Sequence, residues 1–109
     1  MNFDDYQTRA MSTAIYPNRG NNLVYPVLGL NGEAGEIAEK LKKIIRDSGG
    51  ELSPESRKAM SKELGDVLWY VAACCDELGV RMDSVASANI AKLASRKERG
   101  QLSGSGDNR

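Results

Sequence analysis

A chain of 109 residues suffices for one domain, and a domain that short buries only about two-thirds of the surface its unfolded chain exposes, so its core is modest. Lys plus Arg and Asp plus Glu stand at 15 each, a balance that gives no general electrostatic footprint for nucleic acid. There is no histidine, so acid–base or metal chemistry must fall to carboxylates, Lys, Tyr or Cys.

The amino-terminal stretch MNFDDYQTR is polar and acidic, unlike a signal peptide. No apolar run approaches the roughly 18 residues that span a membrane, which predicts a cytoplasmic protein without membrane or nucleic-acid partners. A first helix is expected from about Asn2 to Ile15, with Phe3, Tyr6, Ala10, Met11 and Ala14 on one face. Turn formers from Tyr16 to Asn22 then break it.

A second helix is expected over Leu23 to Asp47, with Ile37, Leu41, Ile44 and Ile45 as its apolar stripe and Pro26 in its first turn. Gly29, Gly32 and Gly35 weaken its first half by about 1 kcal/mol each relative to Ala. Close approach of another backbone or a ligand would account for them. Ser48-Gly49-Gly50 stops this helix, and Ser53-Pro54 starts a third as N-cap and first helical residue. The third runs to Leu78, ahead of Gly79. Val67 to Cys75 is apolar all round, more than a small monomer can bury, which points to an oligomer interface. Trp69 is expected in subunit packing, with stacking on a base as its functional alternative. Cys74 and Cys75 are adjacent, a poor geometry for a disulfide, and read as small buried thiols. A fourth helix is expected from Arg81 to Arg99, with Met82, Val85, Ala86, Ile90 and Leu93 as its apolar positions. Residues 1–99 thus form one helical domain, and the polar, Gly/Ser-rich residues 100–109 are expected to be a disordered tail. The fold class is all-α, with no strand pattern.

Two motifs carry the chemistry: Glu33-Ala34-Gly35-Glu36 on the second helix and Glu63-Leu64-Gly65-Asp66 on the third. Each sets carboxylates at i and i+3, about 60° apart on the helix surface. Glu36 and Glu63 lie roughly 16 and 14 Å from the intervening turn at about 1.5 Å per residue. In an antiparallel hairpin the two motifs therefore sit level. Glu33 and Glu63 also fall at the edge of their helices' apolar seams. Four clustered acids repel one another, and a hard divalent cation relieves that repulsion. Oxygen-only ligation suits Mg²⁺ bridged to substrate phosphates. Di-iron bundles use Glu-x-x-His motifs, which a chain without histidine cannot supply. An isolated pair such as Glu39 with Lys43 reads instead as solvated surface charge.

These residues, embedded in LGLNGEAGEIAEKLKK and KELGDVLWYVA, resemble the MazG-like nucleotide pyrophosphohydrolases of the all-α NTP pyrophosphatase superfamily. Asn89-Ile90-Ala91-Lys92-Leu93-Ala94-Ser95-Arg96 is similar to that family's Asn-x-x-Lys-Leu-x-x-Arg, and the likeness runs from about Tyr6 to Arg99. It departs in ending soon after Arg96 with no aromatic following. The resemblance implies a four-helix fold around a central antiparallel hairpin, assembled as a homodimer or homotetramer. It also implies hydrolysis of an NTP or dNTP to the monophosphate and pyrophosphate, in a role such as nucleotide-pool sanitation.

On this reading Glu33, Glu36, Glu63 and Asp66 hold Mg²⁺, for which Mn²⁺ can substitute, and Glu36 is the candidate to orient or deprotonate the attacking water. Asn89, Lys92 and Arg96 are phosphate contacts, with a basic helix end interacting with its dipole as the plainer reading. Lys40 and Lys43 are weaker phosphate candidates, with neutralisation of Glu36 and Glu39 along the helix as the plainer reading. Tyr25 and Leu28 could border a base pocket or serve as ordinary core. Two rival functions stand beside the enzyme: a non-enzymatic oligomerisation or adaptor module, and a metal-dependent phosphohydrolase of another substrate class.

Overall fold

The computed structural model describes residues 1–109 and consists of four helices without strands: α1 Phe3–Met11, α2 Val24–Ser48, α3 Pro54–Leu78 and α4 Met82–Glu98. Local chemistry sets most of these limits. Asn2 caps α1 by accepting from the Asp5 N–H at 2.8 Å. The helix stops at Met11, four residues short of the expected Ile15. Ser12 Oγ and Thr13 Oγ1 donate to the carbonyls of Arg9 and Ala10, and the Thr13 and Ala14 amides tighten into three-residue turns. The α2 amino terminus is capped by Asn22, whose Oδ1 accepts from the Tyr25 N–H at 3.1 Å. Gly49 ends α2 and Gly79 ends α3, both in the left-handed region at φ 62° and 69°. Ser53 and Ser56 form a reciprocal capping box ahead of Pro54 in the first turn of α3.

The cap of α4 comes from another helix. Arg81 offers no side-chain cap; instead Gln7 Oε1 accepts from the Met82 N–H at 2.7 Å and Asp4 Oδ1 from the Asp83 N–H at 3.1 Å. Gln7 Nε2 also donates to the Val80 carbonyl at 3.0 Å. This fully buried glutamine ties the α3–α4 turn to α1.

Helices α2 and α3 form a long antiparallel hairpin, α1 lies across α3, and α4 rests mainly against α1. The seam of α2 runs through Gly29, Glu33, Ile37, Lys40 and Ile44, each partly buried. Leu41 and Ile45, expected in that stripe, are exposed instead, because the hairpin meets the adjoining i, i+4, i+7 row. Gly29 faces Tyr70: a Cβ added there would collide with the Tyr70 ring. Gly32 and Gly35 meet nothing, so the expected close approach accounts for one glycine of three.

Ala10, Met11, Tyr16, Ala72, Ala73, Cys75 and Met82 make up the core. The cysteines are free, and burial raises the pKa of both thiols. Exposed area is large for the mass: 7594 Å², against about 5,900 Å² for a compact monomer of this size. The radius of gyration is 16.8 Å, where about 13 Å is usual for this length. Leu28, Ile45, Leu64, Val85 and Ile90 are among the apolar side chains left in solvent. An apolar cleft of about 260 Å³, bordered by Phe3, Val71, Met82 and Val85, opens where α4 stands away from α3. Residues 101–109 contain bends and turns that return to α4. No helix is long and apolar enough to cross a membrane.

Candidate metal centre

The hairpin register brings carboxylates of α2 and α3 together. Gly29 lies four residues before Glu33 and Tyr70 four after Asp66, so the Gly29–Tyr70 contact carries the same register one turn on. Carboxylate oxygens of Glu33, Glu63 and Asp66 all lie within 4.8 Å of one another. Glu33 and Glu63 are partly buried on the seam, and Asp66 is exposed at its edge. Glu36, one turn beyond Glu33, is exposed and stands outside this trio. About 60° round the helix from Glu33 on the side away from Ile37, it falls at the solvent edge of the row that faces α3.

The charge state records the crowding. Glu33 has its pKa raised, first by a hydrogen bond shared with Glu63, then by desolvation and by repulsion from Asp66, Glu63 and Glu36. Lys40 Nζ is the one cation in contact with the trio, 3.5 Å from Glu63 Oε1. It bridges the hairpin rather than neutralising acids along α2. Lys43 turns away to Glu39 at 3.8 Å, as does Lys42 at 3.0 Å, so Glu39 is an ordinary surface partner.

The donor set fits a hard cation. Oxygens around an octahedral Mg²⁺ at about 2.1 Å stand roughly 3 Å apart when adjacent and 4.2 Å when opposite. The trio's oxygens, all within 4.8 Å of one another, stand near that spacing, and three carboxylates would leave positions for water and phosphate oxygens.

A cavity of about 400 Å³ adjoins the acids, lined by Thr13, Glu33, Asp66, Trp69 and Tyr70. Its aromatic wall is held firmly. Trp69 Nε1 donates to Thr13 Oγ1 at 2.9 Å and to the Ala10 carbonyl at 3.2 Å. Within its own chain Trp69 is thus anchored on Ala10 of α1 and on Thr13 just beyond it. Trp69 meets Tyr70 edge-on at 5.1 Å; Tyr70 lies 6.4 Å from Tyr25, and Tyr25 stacks on Tyr16 at 4.8 Å. Tyr25 thus reaches the pocket through Tyr70, while Leu28 points into solvent. Periodicity marked Thr13 and Tyr70 as nothing special; the Gly29 opposite Tyr70 was the one sequence signal of that contact.

The carboxy-terminal candidates lie elsewhere. Asn89 borders the apolar cleft, which shares no lining residue with the acid cavity. Lys92 Nζ meets Asp107 Oδ1 at 2.8 Å, and the buried Arg96 meets the same oxygen at 3.2 Å and the Asp107 carbonyl. Within one chain neither cation contacts the trio.

Comparisons with known proteins identify the family. The MazG nucleotide pyrophosphohydrolase domain matches residues 26–100, a span holding all four motif acids, Tyr70 and the α4 cations. The Gene 37 protein of Mycobacterium phage L5 is 50% identical over 114 residues, covering the whole of both chains. No solved structure matches. With two-thirds of its length under that domain, the chain belongs to the MazG nucleotide pyrophosphohydrolase family.

Proposed function

We propose that this chain hydrolyses a nucleoside or deoxynucleoside triphosphate between the α- and β-phosphates, releasing pyrophosphate, with Mg²⁺ as its cofactor and Mn²⁺ able to replace it. The observation that carries this reading is the convergence of Glu33, Glu63 and Asp66 beside a cavity with an aromatic wall. Acids meet the phosphate end of a nucleotide through a cation, and rings meet its base. A bound Mg²⁺ would supply Lewis-acid polarisation of the phosphate oxygens and a water of lowered pKa.

Glu33, Glu63 and Asp66 hold the cation. Glu36, free in solvent one turn away, orients or deprotonates the attacking water. Lys40 balances the charge of Glu63 and is close enough to meet a phosphate; Lys43, paired with Glu39, is a weaker candidate. Tyr70 and Trp69 form the platform for the base, with Tyr25 behind Tyr70. Phosphoryl transfer of this kind needs position and charge neutralisation more than a nucleophilic side chain.

The exposed apolar faces and the open α4 favour a homodimer or homotetramer. In that assembly Lys92 and Arg96, with Asn89 beside them, would serve as phosphate contacts of a neighbouring subunit's site by exchanging Asp107 for the phosphate. Nucleotide-pool sanitation in the cytoplasm, with no nucleic acid or membrane involved, is the role proposed.

Thermal melting tests the cation site. Millimolar Mg²⁺ with a non-hydrolysable nucleoside triphosphate is expected to raise the Tm of the wild type by linkage, and to leave Glu63→Gln unmoved. Equal shifts in both proteins, or none in the wild type, would reject the assignment.

A further inference from the structure

Glu77 lies near the carboxy terminus of α3, three helical turns beyond Asp66, and has no part in the chemistry proposed above. Its carboxylate nevertheless collects three donors from the α1–α2 connection. Tyr16 Oη donates to Oε1 at 2.6 Å, the Gly20 N–H to the same oxygen at 2.9 Å, and the Asn22 N–H to Oε2 at 3.2 Å. The connection is shaped for this. Asn18 and Gly20 adopt left-handed backbone at φ 54° and 95°, and Asn22 Nδ2 closes the loop on the Pro17 carbonyl at 2.8 Å. An ionised carboxylate, an acceptor at both oxygens, matches three donors.

Tyr16, the side chain held most tightly, is buried and stacks on Tyr25 with rings 15° from parallel. Tyr25 contacts Tyr70, which lines the acid cavity and meets Trp69 edge-on. The far end of this row is fixed by the Trp69 bonds to Thr13 and Ala10. Four rings therefore run from the Glu77 anchor on α3 to the Ala10 and Thr13 anchor at the end of α1, and the last two of them, Tyr70 and Trp69, form the cavity wall.

We infer that Glu77 is a positioning residue: by holding Tyr16 and the 16–22 loop it sets the ring row that places Tyr70 and Trp69 as the wall of the nucleotide pocket. This rests on the proposed nucleotide site, and it adds a determinant of base binding remote from the acids. Because the wall meets the base and not the reacting phosphate, its displacement weakens ground state and transition state alike. The signature is then a raised KM with kcat preserved.

The test compares wild type, Glu77→Gln and Tyr16→Phe as full chains below their melting temperatures. Glutamine keeps the shape but turns one acceptor into a donor facing an N–H; phenylalanine keeps the stack and removes only the hydroxyl. KM and kcat are measured with Mg²⁺ on the nucleoside triphosphate the wild type cleaves best. The emission and acrylamide quenching of Trp69, the sole tryptophan, report on the wall directly. Both variants are expected to raise KM about fivefold to tenfold with kcat within about twofold, and to alter Trp69 emission and quenching.

A lowered Tm with KM and Trp69 signals unchanged would overturn the inference, leaving Glu77 a loop fastener. If Glu77→Gln does not fold, Tyr16→Phe is judged by the same criteria. If the wild type releases no pyrophosphate, the nucleotide reading fails by itself. The Trp69 signals then still decide the linkage: changed in the variants they support it, unchanged they overturn it.

Discussion

Two of the three acids can be neutralised one at a time to test the cation site. Asp66 sits at the exposed edge of the trio and Glu63 is bound to Lys40, so their neutral replacements test ligation with little risk to the fold. Asp66→Asn and Glu63→Gln are each expected to lower kcat/KM by at least about a hundredfold, given that even groups behind a metal's ligands are worth roughly 10–100-fold. Without added metal both variants should melt no lower than the wild type, because each removes a repelling charge. Steady-state kinetics and calorimetric melting on the same preparations check both halves. Glu77 behaves in the opposite sense. Tyr16 and the Gly20 amide hold its pKa below the ordinary value, with Asn22 and Arg19 adding to the effect. A carboxylate with a depressed folded pKa contributes stability that is present above its unfolded value and is lost as pH falls through the folded one. The neighbouring charges are Asp76 and Arg19, themselves paired at 3.5 Å. The wild type should therefore lose stability below about pH 4.5, the ordinary glutamate pKa. Glu77→Gln should start less stable at neutral pH and fall less steeply in acid. Parallel acid limbs in the two proteins would contradict this.

Helix limits that rest on local chemistry were legible in the sequence; contacts between distant segments were not. Ser53-Pro54, Gly49 and Gly79 announced the ends of α2 and α3 because caps and left-handed glycines act within a turn of themselves. The level register of the two acidic motifs followed from counting residues to that turn. What counting left open was rotation: which of two adjoining rows on α2 would meet α3. The hairpin took the row of Gly29, Glu33 and Ile37, and this choice left Glu36, Leu41 and Ile45 outside. Gln7 illustrates the same limit, since nothing near it in the chain reveals that it caps α4. Gln7→Ala is expected to cost roughly 1–3 kcal/mol for each buried group left without a partner, with amide exchange accelerated first in α4. The glycines give a sharper contrast. Gly29→Ala collides with the Tyr70 ring and is expected to destabilise by about 1–3 kcal/mol despite alanine's better helix propensity. Gly32→Ala meets open space and should stabilise by up to about 1 kcal/mol. Urea denaturation of the pair checks the sign at each position.

A single chain exposes about 1,700 Å² more than a compact protein of its mass. That excess exceeds the roughly 800 Å² each partner contributes to a standard interface. Sedimentation equilibrium at micromolar concentration should accordingly find a dimer or larger species, and a monomer at all concentrations would oppose the assembly proposed. The same openness separates α4 from the acids, so dilution that dissociates the assembly should reduce specific activity. The whole account rests on one proposed use of the hairpin: Glu33, Glu63 and Asp66, joined within 4.8 Å, would hold a divalent cation that grips a nucleoside triphosphate. Its most direct measurement is product analysis on a panel of ribo- and deoxynucleoside triphosphates with Mg²⁺, for wild type and Asp66→Asn. Monophosphate and pyrophosphate should appear in equal amounts from at least one substrate with the wild type and be lost in the variant. Orthophosphate in their place, no product from any member, or undiminished release by Asp66→Asn would contradict it.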